Sequence, residues 1–198
     1  YSFFIQALIE LNESTGDNKW IEHAIEYANK MIDEFWSEED KMFYDSGTSS
    51  TDTLVRASTS QDNITASGIS VACEVLVKLS RILNEKRYEK IVDNQIESAG
   101  AEIAKFPAAH CNWAKLLGEN TYDEQLVLVG KDLNEFIAIS NSIYSPNLVF
   151  GFNNNDNEYF INKDKISMND QVTAYYCENY LCKEPLNNAK KLLNNLLA

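Results

Sequence analysis

No run of apolar residues in this chain approaches the roughly 20 that a helix needs to cross a bilayer. The opening residues, Tyr1-Ser-Phe-Phe-Ile-Gln, lack the basic segment and cleavage site of a secretory leader. Basic residues are scarce: 17 Lys and Arg stand against 30 Asp and Glu, for a net charge of −13. A surface of that sign repels phosphate backbones and anionic lipid, so neither nucleic acid nor membrane is expected as a partner. Cysteine is confined to Cys73, Cys111, Cys177 and Cys182, and their spacing is not the disulfide framework of a small secreted domain. A reducing cytoplasm is the expected home. The chain has no Gly-x-Gly-x-x-Gly, no Walker loop, no His-Glu-x-x-His and no Gly-x-Ser-x-Gly, so it carries no fingerprint of dinucleotide binding, phosphate cradling, zinc proteolysis or serine hydrolysis. It also opens without Met, on what reads as the interior of an amphipathic helix, and an upstream portion is therefore expected.

What is present can build a core. The 198 residues are 44% hydrophobic and 24% charged, ordinary values for one domain or a domain with a small appendage. Over residues 2–14 a 3.6-residue period sets Phe4, Ala7, Leu8 and Leu11 on one face. Gly16 offers a left-handed helix end, and Asp17 or Asn18 can cap the helix that follows. Residues 19–36 continue with Ile21, Ala24, Ile25, Ala28, Ile32 and Phe35. So short a turn forces an antiparallel α/α hairpin. A second hairpin follows, with Val71, Ala72, Val75, Leu76, Leu79 and Leu83 on its first helix and Tyr88, Ile91, Val92, Ile96 and Ile103 on its second. The two align at an offset of 68: Leu8 with Leu76, Leu11 with Leu79, Gly16 with Asn84, Asp17 with Glu85, Lys19 with Arg87, Trp20 with Tyr88. Gly and Asn both tolerate a left-handed helix end, and an acid suits the start of a helix. Such a repeat must pack on neighbours to bury its faces.

Between the hairpins, residues 37–66 hold two β-like runs, Lys41-Met-Phe-Tyr-Asp and Thr53-Leu-Val-Arg, which predict a β-hairpin insertion. Pro107 can open a third helix, running through Trp113 to Leu117 and stopping near Gly118. The character then changes. Gln125-Leu-Val-Leu-Val-Gly130 reads as a buried parallel strand, residues 132–143 as a helix, Leu148-Val-Phe-Gly-Phe as a second strand, Asn153 to Asn157 as a polar turn, Thr173-Ala-Tyr-Tyr-Cys as a third strand, and 186–197 as a last helix. Strand, helix, strand implies a parallel pair with a right-handed crossover. Two parts are thus expected: a helical segment over 1–120 and a small α/β unit over 121–198.

Three features in this order carry a resemblance: Asp62-Asn-Ile-Thr-Ala-Ser67-Gly68-Ile-Ser70 before a helix, a Leu-Val-Gly-ended strand, and the tail Cys177-Glu-Asn-Tyr-Leu-Cys182-Lys-Glu-Pro185. Together they resemble the C-terminal region of the YyaL-like, spermatogenesis-associated thioredoxin-domain-containing family. The resemblance spans essentially the whole chain, and the Cys-x4-Cys-x2-Pro tail is its most specific part. It implies a thioredoxin-like domain upstream, absent from this chain, followed by an (α/α)6 toroid of the six-hairpin glycosidase kind, of which this chain holds the last part and the small α/β unit. Where the family loop usually reads Pro-Ser-Gly-Asn-Ser, this chain reads Ala66-Ser67-Gly68-Ile69-Ser70. Ala57 and Ser58 follow Arg56 where relatives often carry a Lys.

In toroids of this class long loops gather at one end of the ring into a cup. Asp62 and Asp45 are the carboxylates expected to reach it. Glycoside hydrolysis needs two carboxyl groups at a fixed separation, although Asp62 can equally cap a helix and Asp45 can be a turn residue. Ser67 and Gly68 sit at a helix start, where amides can bind an anion or a hydroxyl group, or where the Ser is an ordinary cap. Arg56 can grip a carboxylate or a sugar hydroxyl, or form a surface ion pair. His110 and Trp113 begin the third helix near the cup, with Trp113 either a stacking face or core. Cys177 and Cys182 are not a Cys-x-x-Cys motif. Two reduced structural thiols are the favoured reading, with a redox pair as the alternative. No metal and no cofactor is expected, since two cysteines fall short of a four-ligand zinc site and His23 and His110 lie far from them in sequence.

Two families of function follow. One is an accessory region that recognises a client, a protein or a saccharide, for the upstream thioredoxin-like domain. The other is a carbohydrate-active module working through cup carboxylates. An interaction scaffold is a third.

Overall fold

A computed structural model describes residues 1–52, 54–119, 123–153, 159–179 and 181–197. The chain is mainly helical. Helix α1 (Ser2–Thr15) and helix α2 (Lys19–Phe35) form the first hairpin; α3 (Gly68–Leu83) and α4 (Lys86–Lys105) form the second. Each hairpin turns on a left-handed residue, Gly16 at φ 66° and Asn84 at φ 56°. At each turn the following acid accepts from the amide two residues on, Asp17 from Lys19 at 3.1 Å and Glu85 from Arg87 at 3.0 Å. The 68-residue repeat is thus a repeat of capping chemistry. A Pro107–Ala109 3-10 turn leads into α5 (Cys111–Glu119), so Pro107 starts a single tight turn and the helix proper begins four residues later.

Helix α3 is the centre of the array. It packs on α1, α4 and α5, and Ile69 through Val77 are all buried. A helix apolar nearly all round is what an element with neighbours on several sides requires. Helix α1 differs from its expected face. It buries Ser2, Ile5, Leu8, Ile9 and Asn12, whereas Phe4, Ala7 and Leu11 stay exposed. The helix carries two apolar stripes. Packing on α2 and α3 selects the Ile5–Ile9 stripe and leaves the other, with Phe3, facing outward.

The expected insertion hairpin is also corrected. Met42–Phe43 (β2) pairs antiparallel with Trp36–Ser37 (β1), at the end of α2, and not with residues 53–56. Leu54 and Val55 are exposed, and Thr53 lies outside the described residues. The segment from Tyr44 to Ser60 runs without regular structure, tied back through Asp45 N–H to the Ala57 carbonyl at 2.7 Å.

The α/β unit follows its sequence pattern. Strand β3 (Glu124–Val129) pairs parallel with β4 (Leu148–Asn153) across helix α6 (Asn134–Ser140), and antiparallel with β5 (Thr173–Glu178). A short β6 (Leu181–Cys182) completes the order β4-β3-β5-β6. Of the expected polar turn only Asn153 is described; 154–157 lie outside the described residues. Helix α7 (Ala189–Leu196) starts three residues late because Leu186 bridges to Ala174 and Asn188 supplies the cap. The pleat divides the sheet between two cores. Leu126, Leu128, Leu148, Phe150, Phe152, Ala174 and Tyr176 pack with α6 and α7, while Val127, Val129 and Val149 join the core of the hairpins.

The first hairpin's turn is bolted to this sheet. Asn18 Nδ2 donates to the Phe152 carbonyl at 3.0 Å, and a Cβ on Gly16 would stand 2.8 Å from Ile137 Cδ1. Gly151, inside β4, is needed for close approach. An added Cβ would meet Asn162 Oδ1 and Ile161 Cγ2, both on fully buried residues. Gly151→Ala is expected to cost about 1–3 kcal/mol through overpacking, read as a lower urea midpoint at unchanged slope.

Candidate functional site

Asp62 is held at the start of two helices. Its Oδ1 accepts from the Ser67 amide at 2.8 Å and lies 3.3 Å from Ser70 Oγ; its Oδ2 accepts from the Asn112 amide at 2.8 Å. Asn112 Nδ2 closes the circuit by donating to Ser70 Oγ at 3.0 Å. Ser67 caps α3 by accepting from the Ser70 amide at 3.1 Å. The cap of α3 is thus Ser67, as an ordinary Ser cap, and Asp62 in turn holds the amide of that cap residue. Through its second oxygen on the Asn112 amide, Asp62 joins the start of α3 to the start of α5.

Asp45 stands elsewhere. It is exposed, and its carboxylate accepts from Thr59 Oγ1 at 2.6 Å and from the Thr59 amide at 3.4 Å. It lines a cavity of about 240 Å³ at the N-terminal ends of α1 and α3, with Tyr1, Ser2, Phe35, Tyr44 and Gly68 around it. Gly68 comes close to α1 here, since a Cβ would lie 3.8 Å from Ser2 Oγ. Asp62 does not line this cavity. It faces a separate shallow depression with Asn63, Cys111 and Lys115. The two carboxylates expected to work as a pair are not brought to one cavity.

Arg56 supports the cavity wall from behind. Its guanidinium donates to the Ser46 carbonyl at 2.9 and 3.0 Å and to the Glu34 carbonyl at 3.3 Å, and stacks 4.4 Å from the Tyr44 ring centre. With the Phe35 carbonyl at 3.5 Å it reaches three backbone carbonyls, which a planar fork of donors suits as well as it suits a carboxylate. Its bonds go to the chain's own backbone, which fixes Tyr44 and Asp45 against the end of α2.

His110 and Trp113 are both wholly buried. Trp113 Nε1 donates to the Ser60 carbonyl at 2.8 Å. His110 Nδ1 lies 2.9 Å from the Phe106 carbonyl, which can only accept, so that nitrogen carries the hydrogen. In the neutral ring Nε2 is then an acceptor for Ser60 Oγ at 3.2 Å. Ser60 Oγ also lies 3.1 Å from Glu102 Oε2. Both rings anchor the segment before Asp62, and neither lines the aromatic cavity.

Cys177 and Cys182 are joined by a disulfide across directly paired positions of β5 and β6. The expectation of two reduced thiols is corrected on this point, because the turn at Asn179 folds β6 back and sets the two residues opposite one another. Cys73, by contrast, is a free thiol inside α3, and burial pushes it well above its usual range. Cys111 is free and exposed.

Sequence reasoning missed a charged cluster where α1 and α3 meet. Lys78 Nζ lies 3.0 Å from Glu13 and 3.9 Å from Glu10. Burial raises Glu13 above the ordinary carboxylate range, and the carboxylates of Glu13, Glu10 and Glu74 hold Lys78 above its usual value despite its burial. Glu13 and Glu10 lie 65 and 68 positions from Lys78, and nothing in the local pattern announces them; Glu74 is one turn away on α3. Ser60, Ser70 and Asn112 were likewise illegible, being polar residues whose role is set by long-range partners.

The fold and site define a mainly helical protein of paired hairpins with a small mixed sheet, and an aromatic-walled cavity holding one exposed carboxylate. No family model matches the chain. Over 94% of its length it is 23% identical to spermatogenesis-associated protein 20 of Homo sapiens, and equally to that of Rattus norvegicus, covering 25% of each. It is 22% identical, over 97% of its length, to an uncharacterized protein of Caenorhabditis elegans, of which it covers 27%. The chain therefore spans about a quarter of the length of the curated relatives it matches. This distant likeness is consistent with the family that the Cys-x4-Cys-x2-Pro tail resembles. Among the described residues, no helix is long and apolar enough to cross a membrane.

Proposed function

We propose that this chain is the C-terminal accessory region of a thioredoxin-domain-containing protein, and that it recognises a client through the cavity at the N-terminal ends of α1 and α3. One observation carries this reading: among the described residues the cavity is walled by Tyr1, Phe35 and Tyr44 with Asp45 as its one carboxylate, while Asp62 is committed to fastening α3 and α5. Aromatic faces and one carboxylate suit recognition. Hydrolysis of a glycoside calls for two carboxyl groups facing one bond. The exposed stripe of Phe3, Phe4 and Leu11 on α1 is where a preceding hairpin of an (α/α)6 ring would pack, which supports a reading with the rest of the ring and the thioredoxin-like domain upstream. The 1–120 segment is then ring, and 121–198 the small unit that buttresses it.

The test uses the full-length protein carrying Tyr44→Ala and Asp45→Asn together. The expected result is an increase of about tenfold in the client concentration needed for half-maximal reduction, equivalent to about 1.4 kcal/mol of lost binding, with the reactivity of the upstream thiols toward a small disulfide unchanged. Unchanged client kinetics would remove the accessory reading. A saccharide turned over by the protein, with turnover lost in Asp45→Asn, would put the carbohydrate-active reading in its place.

A further inference from the structure

We infer that the Cys177–Cys182 disulfide is a thiol–disulfide exchange site, attacked at Cys182 by a protein dithiol that docks over the neighbouring cavity. The site stands apart from the helix-end cavity and from the client reading attached to it.

Four observations converge. First, the two cysteines are unequal. Cys177 is 2% exposed, on the hairpin-facing side of β5, whereas Cys182 sits on β6, whose two residues are both exposed. Approach from solvent therefore ends on the Cys182 sulfur and makes Cys177 the leaving group.

Second, a cavity of about 290 Å³ adjoins the disulfide, and Phe160, Lys163, Asp164 and Lys165 line it together with both cysteines. Lys165 is half-buried, with Nζ donating to the Ile161 carbonyl at 2.8 Å. The wall carries two ammonium groups against the one carboxylate of Asp164, and that positive balance favours the thiolate that departs, since a leaving thiol departs faster when its anion is stabilised.

Third, the hairpin does not depend on the bond. Lys183 N–H donates to the Tyr176 carbonyl at 2.8 Å, Asn179 N–H to the Asp123 carbonyl at 2.8 Å, and Lys183 pairs with Glu178 at 2.9 Å. The disulfide closes a loop of only four intervening residues between β5 and the edge strand β6, and neither cysteine belongs to either of the two core clusters. It can open and close without taking the fold apart, as an exchangeable disulfide must.

Fourth, the cavity wall presents an exposed aromatic side chain, Phe160, at 47% exposure. That is a landing surface for a protein reductant, which a small thiol does not need.

A thiolate of the incoming dithiol attacks Cys182 Sγ, the Cys177–Cys182 bond breaks, and Cys177 leaves as a thiolate and takes a proton from water. The second thiol of the reductant, as thiolate, attacks its own sulfur in the mixed disulfide and releases the Cys182 thiolate, which is protonated in turn. The chain gains two electrons and two protons, and the dithiol becomes a disulfide.

The experiment uses the oxidised chain with Cys111→Ser, which removes the exposed free thiol, and a thioredoxin whose second active-site cysteine is replaced by Ser as a trap. The expected product is a mixed disulfide mapped by peptide mass spectrometry to Cys182, with Cys177 open to alkylation. With intact thioredoxin, its reductase and NADPH, about one NADPH is consumed per chain, as the two-electron stoichiometry requires. Lys163→Gln with Lys165→Gln is expected to slow exchange by about 3- to 10-fold, and Cys182→Ser to abolish the adduct while the melting temperature of the chain stays close to that of the parent. Equal trapping at Cys177 and Cys182, or no adduct under conditions where a small dithiol reduces the bond, would overturn the inference. So would loss of the folded sheet on reduction, which would make the bond a structural clip.

Discussion

Replacing Trp113 by Ala is expected to cost about 3–5 kcal/mol, the usual toll for emptying a fully buried aromatic site. The side chain is wholly buried, and it sits on a helix of nine residues whose buried side chains, among the described residues, are Trp113 and Leu116. The indole also donates to the Ser60 carbonyl at 2.8 Å. Truncation thus strips that carbonyl of its partner as well as opening a cavity, and the unmade hydrogen bond adds its own penalty of about 1 kcal/mol. Trp113→Phe separates the two contributions. It keeps most of the volume, so about 1–3 kcal/mol of loss is expected, with amide exchange accelerated in residues 57–62. Urea unfolding and amide exchange are the measurements. A Trp that stacked on a ligand would behave oppositely: Trp113→Phe would leave the unfolding midpoint in place and weaken only ligand binding.

The burial of Trp113 and His110 shows what sequence patterns can and cannot deliver. The hairpins were legible because helix periodicity and capping are local. Gly16 and Asn84, Asp17 and Glu85 do their work within a few residues of themselves, and the 68-residue offset aligned them correctly. The sheet was legible for the same reason, since the unbroken apolar run 125–130 can only be a strand covered on both faces. Which stripe of α1 is buried was not legible. Phe4, Ala7 and Leu11 are as apolar as Ile5 and Ile9, and only the placement of α2 and α3 decides between them. Residues 53–56 carry strand-forming side chains, but Arg56 finds three carbonyls near the end of α2, and tertiary bonds of that kind override β propensity. At the site, the cap reading of Ser67 was accessible from sequence. The attachment of Asp62 to Asn112 was not, because it spans fifty residues. The disulfide needed the strand register, which no spacing rule supplies for a Cys-x4-Cys pair.

Asp62→Ala is the second change with a large expected effect, about 2–4 kcal/mol. Two backbone amides, Ser67 and Asn112, lose a charged acceptor at 2.8 Å each, and a lost cap at a helix start costs roughly 1 kcal/mol or more. The carboxylate also stands at the starts of both α3 and α5, where the helix dipoles favour a negative charge by about 0.3–1 kcal/mol each. Asp62→Asn sharpens the test. An amide side chain offers one oxygen where two are required. If its oxygen faces the Ser67 amide, its NH2 points at the Asn112 amide, and rotating the group only exchanges the fault. About 1–2 kcal/mol of destabilisation is therefore expected from the isosteric change alone, accompanied by faster amide exchange at the start of α5. A carboxylate that served as catalytic acid or base would show the reverse signature, with turnover abolished and the melting temperature unmoved. The fastening role fails if Asp62→Asn melts with the parent chain and the opening turn of α5 exchanges no faster, because a clamp that can be cut without loosening what it joins is not a clamp.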